Sequence, residues 1–599
     1  MSNITDDELM EEFDTFGIEF EEDSDVSNRL KELCALHRMT ATDIVNEWIA
    51  FSQTKKGIQL IAENLEAFDR EKLSKRLSKT PKTPQLKKQK PTVYDINTIH
   101  KSLNDDDEAQ ELYNAYGTPN AKGNTNTAKK RQHTPDSGSV KRLTGVDRVS
   151  AVPFSPASFS PTSTTPSRKY TDHKNSGEVL LSFPVDNVPW AWQRSEQECI
   201  VALYDESQSI TTNFRYMFQK LTDKAHVLND MVEDMASQLQ QHNKIEEFSH
   251  VALPTQETVN VCGRICCDSI GKLNNKSVLL EGSRETSAGK CIPVDLTSLS
   301  EYSLFPGQVI ALEGLNSSGQ KFVAQKKFQN VRLPLPVAKV EGGQHINIVV
   351  AAGPFTTSHT LDYEPLADLL KLLQKDQPNI LIILGPIVDA RNTEIEKGNV
   401  HFTYKELFQK QIDDISDVTE RINCEVVIIP SYRDVHHDSV YPQPPYIVDQ
   451  LKSHVHLMSD PCTLTINNIV FGVTSTDILF HIGQEEISFI PGSKDRLARL
   501  AKHLLLQQSF YPLYPPVKGI NIDYDQLETF GKMLVTPHIL LVPSDLKYFI
   551  KDIDGCCVVN PGRLAKGQIG GTYSRMVIKT DSAVSGSIIK SISAQVVRI

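Results

Sequence analysis

The sequence predicts a multidomain protein with a small all-α N-terminal domain, a disordered linker, a small β-barrel and a layered α/β domain. Three observations support this. Apolar residues recur at helical spacing before residue 75, this periodicity disappears between residues 76 and 176, and strand patterns dominate after residue 250. The 599 residues, 39% of them apolar, can form more than one core, since single cores stop growing near about 250–300 residues.

The first domain spans residues 1–75 and opens with an acidic segment that also carries apolar residues. This segment is typical of a solvated tail, a partner-docking tail or a frayed helix. Three helical stretches follow, and Thr40 or Thr42 can cap the second. An acidic start is the reverse of a secretory signal, and no apolar run reaches the roughly 20 residues that cross a bilayer. We therefore expect a nuclear or cytosolic protein with no membrane contact.

Residues 76–176 are rich in Ser, Thr, Pro, Lys and Asn and carry too little apolar surface to offset the entropy of ordering. We predict a disordered linker. Its basic groups Lys129-Lys130-Arg131 and Lys141-Arg142 resemble a two-part nuclear import signal. Several Ser-Pro and Thr-Pro pairs look like sites for proline-directed kinases, although such pairs are also common in linkers. The phosphorylation candidates are Thr118, Thr134, Ser155, Ser160 and Thr165.

Residues 188–250 are interpreted as a segment dominated by one long helix. Apolar residues repeat at three and four positions from Phe214 through Met217, Phe218 and Leu221 to Leu239. A Met-rich stripe of this kind is typical of packing, so we expect the helix to brace the folded body.

Residues 251–337 contain five short alternating runs separated by Gly, Asn and Ser turns, which predict a small barrel of the OB type. Such barrels can bind single-stranded DNA by stacking bases on aromatic side chains. The aromatic residues here are Tyr302, Phe305, Phe322 and Phe328, and most fit core positions. Because the chain also carries a net charge of −12, we favour a barrel that packs against protein, with DNA contacted mainly indirectly. Single-strand binding stays open as an alternative.

Residues 338–599 alternate strands and helices, which predicts an α/β layered domain with functional loops after the strand ends. The loops Ala351–Phe355, Gly385–Asp389 and Pro430–Asp434, followed by Asn560–Arg563, resemble in order and spacing those of the calcineurin-like metallophosphoesterases. That family holds two metal ions with several carboxylate, Asn and His ligands. The resemblance implies the same fold.

The ligand pattern of that family is largely missing from this chain. Pro386 stands at the position of the bridging carboxylate, and Tyr432 and Arg433 stand where Asn and His are needed. Only Asp389 and Asp434 remain, too few for a dinuclear centre. We therefore predict an inactive phosphoesterase-like domain with no catalytic residue, no cofactor and no metal. A shifted site that recruits His436, His437 and Asp438 is the alternative, and a polar surface loop is the simpler interpretation.

Ten cysteines show no spacing typical of a zinc site, so we expect buried or free thiols. Nor does the chain contain the glycine-rich loops that bind nucleotide phosphates in strand-to-helix turns.

The order of barrel and degenerate domain, the segment Thr474–His481, and the tail Val559–Arg563 with Gly570–Tyr573 resemble the B subunits of replicative DNA polymerases. The helical N-terminus and the linker are most similar to the branch that serves DNA polymerase alpha and primase. The resemblance implies a non-catalytic nuclear subunit that binds the C-terminal domain of the catalytic subunit. It also implies primase as a partner through the complex, and other replication factors as partners of the N-terminal domain.

Overall fold

The computed structural model describes residues 9–10, 12–13, 25–37, 40–54, 60, 62–69, 170, 175–184, 192, 198–208, 210, 215–328, 331–337, 343–492, 495–580 and 588–599. Three helices lie near the N-terminus: α1 (Asp25–His37), α2 (Ala41–Thr54) and α3 (Ala62–Phe68). Thr40 caps α2 by accepting a hydrogen bond from the Asp43 N–H. The rings of Trp48 and Phe68 pack at right angles with centroids 5.4 Å apart, which joins α2 to α3. The predicted linker, its import signal and the five phosphorylation candidates lie outside the described residues.

Strands β1 (Val179–Phe183) and β2 (Val201–Leu203) precede the long helix α4 (Leu221–Asn243). The buried face of α4 packs Val232, Met235 and Leu239 against Val309 and Phe328 of the following domain, so this helix braces the body. It begins later than the apolar repeat predicts. The residues of the repeat at 217 and 218 precede the helix and are exposed, as is the first residue of α4.

The next domain is a closed barrel of five strands in the order β3-β4-β5-β8-β7. Its strands agree with the five predicted runs to within a few residues. The elements of this region are β3 (Thr255–Cys267), β4 (Val278–Glu281), α5 (Arg284–Ser287), β5 (Cys291–Asp295), β6 (Tyr302–Leu304), β7 (Val309–Asn316) and β8 (Phe322–Lys327).

The rest of the chain builds a domain of two facing sheets with helices outside. Its first half comprises β9 (Gln344–Ala352), α6 (Glu364–Asp376), β10 (Ile380–Leu384), α7 (Thr393–Glu396), α8 (Tyr404–Arg421), β11 (Glu425–Ile429), β12 (Val455–Leu457), β13 (Cys462–Ile466) and β14 (Ile469–Val473). Its second half comprises α9 (Ile478–Glu485), β15 (Ile487–Phe489), α10 (Arg496–Gln507), α11 (Tyr524–Phe530), β16 (Ile539–Leu541), β17 (Phe549–Ile553), β18 (Cys556–Asn560), β19 (Ala565–Lys566), β20 (Ile569–Gly570), β21 (Thr572–Thr580) and β22 (Ile592–Arg598).

One sheet has the order β1-β22-β21-β9-β10-β11-β12 and the other β17-β18-β16-β14-β13-β2. Their inner faces share one core, in which Ile348 and Ile382 lie in the same cluster as Leu464 and Phe471. Helices α6 and α8 cover the outer face of the first sheet. Strands β9, β10 and β11 are parallel, and apart from Glu425 at the start of β11 their paired residues are apolar, as expected for strands buried on both faces.

The barrel and the α/β domain are joined by a small sheet in which β6 pairs antiparallel with β15. A second tie is formed by Gln507, whose side-chain amide both accepts from the Val309 N–H (2.8 Å) and donates to the Val309 carbonyl (3.1 Å). None of the described helices is long and apolar enough to cross a membrane. All ten cysteines are free thiols.

Candidate functional site

Three loops meet where the parallel strands β9, β10 and β11 end side by side. The Gly353 N–H donates to the Leu384 carbonyl (2.8 Å) and the Gly385 N–H to that of Ile429 (2.9 Å). A Cβ atom on Gly353 would lie 2.1 Å from the carbonyl oxygen of Pro386, so only glycine permits this approach. The loops that follow β9 and β10 therefore lie in direct contact with each other.

The side chain of Arg433 forms a buried ion pair with Asp389. Its Nε lies 3.2 Å from Asp389 Oδ1, and one terminal nitrogen donates a hydrogen bond to Oδ2, so the guanidinium binds both carboxylate oxygens. Each side chain is 7% exposed. Burial alone would lower the pKa of Arg433, but Asp389 and Asp545 outweigh this and raise it. The arginine predicted to stand in place of a metal ligand is thus a permanently charged part of the core.

A second arginine, Arg563, enters the same region from the loop after β18. Its Nε lies 2.9 Å from Asp545 Oδ1, and one terminal nitrogen lies 3.4 Å from Asp477 Oδ2. Burial and the neighbouring Asp545 raise the pKa of Asp477 to about 6. Burial would also raise the pKa of Asp545, but Arg563 and Arg433 together lower it. The two arginines therefore pair with three carboxylates drawn from three loops.

The second surviving carboxylate, Asp434, points into the protein. It accepts hydrogen bonds from the N–H groups of Ile387 (2.7 Å) and Val388 (2.8 Å) and from the hydroxyl of Tyr446. Burial raises the pKa of Asp434 to about 7, although these donors favour the charged form. Asp434 holds the second and third loops together and does not face a shared site with Asp389.

The shifted site of His436, His437 and Asp438 is not formed. The ring of His436 stacks at 15° on Tyr446 and lies 4.1 Å from Phe408, and neither ring nitrogen has a hydrogen-bond partner. Burial lowers the pKa of His436 to about 3. This histidine is an aromatic packing residue, so the interpretation as a polar surface loop is also wrong at this position.

The other two residues of the predicted shifted site, His437 and Asp438, bind different partners. His437 Nε2 lies 2.8 Å from the Pro444 carbonyl, and Asp438 accepts a hydrogen bond of 2.6 Å from the Tyr216 hydroxyl. Across the described ranges, no three His, Cys, Asp or Glu side chains are arranged to hold a metal ion.

A cavity of about 20 Å³ lies between these loops. Its lining includes Arg391, Arg433, Asp477, His481, Asp545 and Arg563. This volume fits a single water molecule. A dinuclear centre needs two ions about 3.5–4 Å apart together with a bound phosphate. The cavity between these loops is therefore too small to hold two ions and a phosphate in this arrangement.

The four aromatic residues of the barrel region are all buried, with Tyr302 and Phe328 each 7% exposed and Phe305 and Phe322 fully buried. Side chains in these positions cannot stack on bases without leaving the core.

Sequence reasoning missed three charged members of this cluster. Asp477 and Arg563 stood inside motifs that carried the resemblance, but their pairing was not foreseen. Asp545 was overlooked altogether. The available signal was their position three or four residues after apolar strands, since the loops after strand ends carry the functional residues of layered α/β folds.

Three family models match this chain, and all describe the B subunit of a DNA polymerase. The model for the B subunit of DNA polymerases alpha and epsilon matches residues 348–551. For the B subunit of DNA polymerase alpha, the model of the OB domain matches residues 225–330 and that of the N-terminal region matches residues 7–75. The class of protein is therefore that of the B subunits of DNA polymerases alpha and epsilon.

Comparison with individual proteins identifies the family within this class. The DNA polymerase alpha B subunits of Mus musculus and Rattus norvegicus are each 40% identical, over 602 and 604 residues, and each alignment covers 99% of both chains. That of Drosophila melanogaster is 28% identical over 625 residues, covering 99% of this chain and 100% of the relative. The chain belongs to the family of DNA polymerase alpha B subunits, which confirms the resemblance noted in the sequence.

Proposed function

We propose that this chain is the non-catalytic scaffold and regulatory subunit of the DNA polymerase alpha-primase complex. In this role it binds the C-terminal domain of the catalytic subunit. Primase joins through the same assembly, which makes RNA-DNA primers at the initiation of replication and on the lagging strand. Family membership over nearly the whole chain supports the polymerase partner. The complex works in the nucleus, where replication takes place.

The observation that carries the non-catalytic part is the pairing of Arg433 with Asp389 at the carboxyl ends of the parallel strands. We propose that this α/β domain is a calcineurin-like phosphoesterase that has lost its metal centre. A permanently charged guanidinium repels a divalent cation from Asp389, one of the two carboxylates of the family pattern that remain. The parallel strands β9–β11 with glycine-containing loops after them also support that fold.

The scaffold role is supported by the ties between the barrel and the α/β domain. The pairing of β6 with β15 and the Gln507 contacts make one continuous surface from two domains. The buried aromatics of the barrel and the net charge of −12 favour a partner surface over a DNA groove, so DNA is contacted mainly through the other subunits.

We propose domain limits at residues 1–75, 76–176, 188–250, 251–337 and 338–599. Residues 76–176 serve as a tether of about 100 residues, whose root-mean-square span in the flexible regime is roughly 50–60 Å. This reach lets the N-terminal helices recruit other replication factors while the body stays on the polymerase.

Two measurements on the full chain test these proposals. The tagged chain, co-expressed with the catalytic subunit of DNA polymerase alpha and primase, should co-purify with both in equal amounts, and its failure to do so would remove the scaffold role. The purified chain should also hydrolyse bis(p-nitrophenyl) phosphate no faster with Mn²⁺ than without it. Metal-dependent turnover that Asp389→Asn abolishes would establish an enzyme instead.

A further inference from the structure

The N-terminal helical domain contacts the α/β domain through an ion pair between Glu12 and Arg496. The two charged groups lie 3.4 Å apart, and their side chains are 24% and 12% exposed. Glu12 also accepts a hydrogen bond of 2.8 Å from the Thr42 hydroxyl at the start of α2. Arg496, at the start of α10, donates to the Gly483 carbonyl of α9 (2.7 Å). Each partner of the ion pair is therefore held in position by its own domain.

A lysine of the barrel, Lys272, belongs to the same contact. It lies in the loop between β3 and β4. Desolvation and the nearby Arg496 lower the pKa of Lys272. The carboxylates of Asp43 and Glu47 on α2 act in the opposite direction, as does Glu485 of the α/β domain. Charges more than about 10 Å apart are largely screened by salt, so the first turns of α2 lie close to this barrel loop.

The charges on the two sides of this contact are complementary. We call Glu12, Asp43 and Glu47 the acidic face of the helical domain. Lys272 and Arg496 are the basic pair of the body, which comprises the barrel and the α/β domain. Carboxylates outnumber Lys and Arg in the first 75 residues, so the acidic face belongs to a domain of negative net charge. Surfaces of opposite charge attract each other and fix the orientation in which they meet.

Two carboxylates of the body lie beside the basic pair. Asp495 precedes Arg496 in the chain, and it forms its own ion pair with Lys551. Glu485 acts on Lys272, but burial raises the pKa of Glu485 and so disfavours its charged form. The basic pair therefore keeps a net positive charge toward the helical domain.

We propose that the body of this chain docks its own N-terminal domain in a closed form, in which the basic pair covers the acidic face. Because both domains belong to one chain, a weak contact suffices to keep them together. Ion pairs at partly exposed positions contribute little, so a partner can displace this one. A factor that takes the acidic face must replace the basic pair, and it therefore carries a segment rich in Lys or Arg. This inference goes beyond the scaffold role and does not depend on it.

Carbodiimide coupling of the full chain tests the closed form, since this reagent joins a lysine amine directly to a nearby carboxylate. Peptide mass spectrometry should find Lys272 joined to Asp43 or Glu47. Raising the NaCl concentration during the reaction should lower the yield, because salt screens the attraction between the two surfaces.

The substitution Glu12→Arg leaves the body unchanged and should lower the yield of this cross-link at least fivefold, because two arginines then face each other. The charge swap Glu12→Arg/Arg496→Glu should restore the yield. The matched control is Glu66→Arg, which alters an exposed carboxylate on α3 and should leave the yield unchanged.

Absence of the cross-link from the wild type would overturn the inference. Equal yields in Glu12→Arg and the wild type would overturn it as well, and so would equal losses in Glu12→Arg and the control Glu66→Arg. Cross-links that join isotope-labelled chains to unlabelled chains would place the helical domain on a second copy, which also contradicts docking within one chain.

A cationic probe, fluorescein-labelled deca-lysine, tests the competition for the acidic face. It should bind the full-length variant Arg496→Glu at least threefold more tightly than Lys502→Glu, because only the first change uncovers the acidic face. The two variants are matched, since Lys502 lies on the same helix, is 47% exposed and also pairs with a carboxylate, that of Asp554. Equal affinities of the two variants would overturn the competition between the basic pair and a Lys- or Arg-rich partner.

Discussion

Ser303 of the barrel donates a hydrogen bond of 2.5 Å to Glu486 of the α/β domain. The same Glu486 oxygen lies 2.8 Å from Arg499 Nε and 3.1 Å from His503 Nε2. The carboxylate is almost fully buried at the junction of β6 and β15. There it binds the Ser303 hydroxyl of the barrel together with the guanidinium of Arg499 and the imidazole of His503 from the α/β domain.

We expect Glu486→Ala to loosen this junction. Burial would raise the pKa of Glu486, but the bonds from His503 and Arg499 outweigh it and lower the pKa, so the carboxylate stabilises the fold above pH 4.5 and this contribution is lost as the pH falls. Removing it leaves a largely buried guanidinium unpaired, at a cost of about 3–5 kcal/mol. Amide hydrogen exchange should accelerate in β6 and β15.

The control for this variant is Glu313→Gln, which breaks the exposed pair with Lys326 at 3.7 Å and should cost less than about 1 kcal/mol. Equal exchange rates in both variants would show that the junction does not depend on Glu486.

Arg433→Met should destabilise the α/β domain by about 3–5 kcal/mol, because Asp389 would remain buried without its partner. The double variant Arg433→Met/Asp389→Asn should recover part of this loss, since no buried charge is then left at that position. Chemical unfolding followed by circular dichroism measures both. A double variant less stable than the sum of the two single changes would contradict the pairing.

The stability of the α/β domain should depend on pH through Asp434. The pKa of this carboxyl is raised by burial from 3.8 to about 7, so its protonated form favours the folded state. Its contribution is complete below pH 3.8 and declines as the pH rises toward 7, by at most about 1.4 kcal/mol per pH unit.

Asp434→Asn removes that titration. The stability difference between the variant and the wild type should therefore shift in favour of the variant between pH 5 and 7 and stay constant above about pH 8. Unfolding midpoints measured across this range test the sign, and a difference that does not change with pH would refute it.

Gly385→Ala should destabilise the protein by about 1–3 kcal/mol or more, because the new Cβ would lie 2.8 Å from both Asp434 Oδ2 and Ser431 Cβ in a packed core. Gly271→Ala is the matched control, since its Cβ would meet only the Ser269 hydroxyl at 3.6 Å. Thermal unfolding of the two variants compares them directly, and equal midpoints would mean that the loops have room to separate.

Proline-directed kinases should phosphorylate the linker at Thr118, Thr134, Ser155, Ser160 or Thr165. Each phosphate adds roughly −1.5 to −2 charges to a segment that carries several Lys and Arg residues. Mass spectrometry of the chain isolated from dividing cells checks this, with the same chain from arrested cells as the comparison. Absence of phosphate from all five residues in dividing cells would refute the prediction.

The elements of the fold followed closely from the sequence. The sequence predicted alternating strands and helices in residues 338–599, and the runs Ile380–Leu384 and Val426–Ile429 within β10 and β11 are continuously apolar, as parallel strands buried on both faces are. The start of α4 was mispredicted, because the apolar repeat runs on through Met217 and Phe218, whereas the Met217 N–H donates to Asp523 and the Gln219 side chain donates to the Ile522 carbonyl. A local pattern cannot register a hydrogen bond to a residue about 300 positions away.

The candidate site, too, could be predicted from the sequence only in part. The sequence alone determined that the metal-ligand pattern is broken at Pro386 and Arg433, because residue identity decides which atoms can bind a cation. Only the tertiary structure decided that Arg433 pairs with Asp389, that Arg563 pairs with Asp477 and Asp545, and that His436 packs against aromatic rings. Those outcomes depend on which loops the parallel strands bring together, and a buried charge must bind whichever opposite charge the fold places beside it.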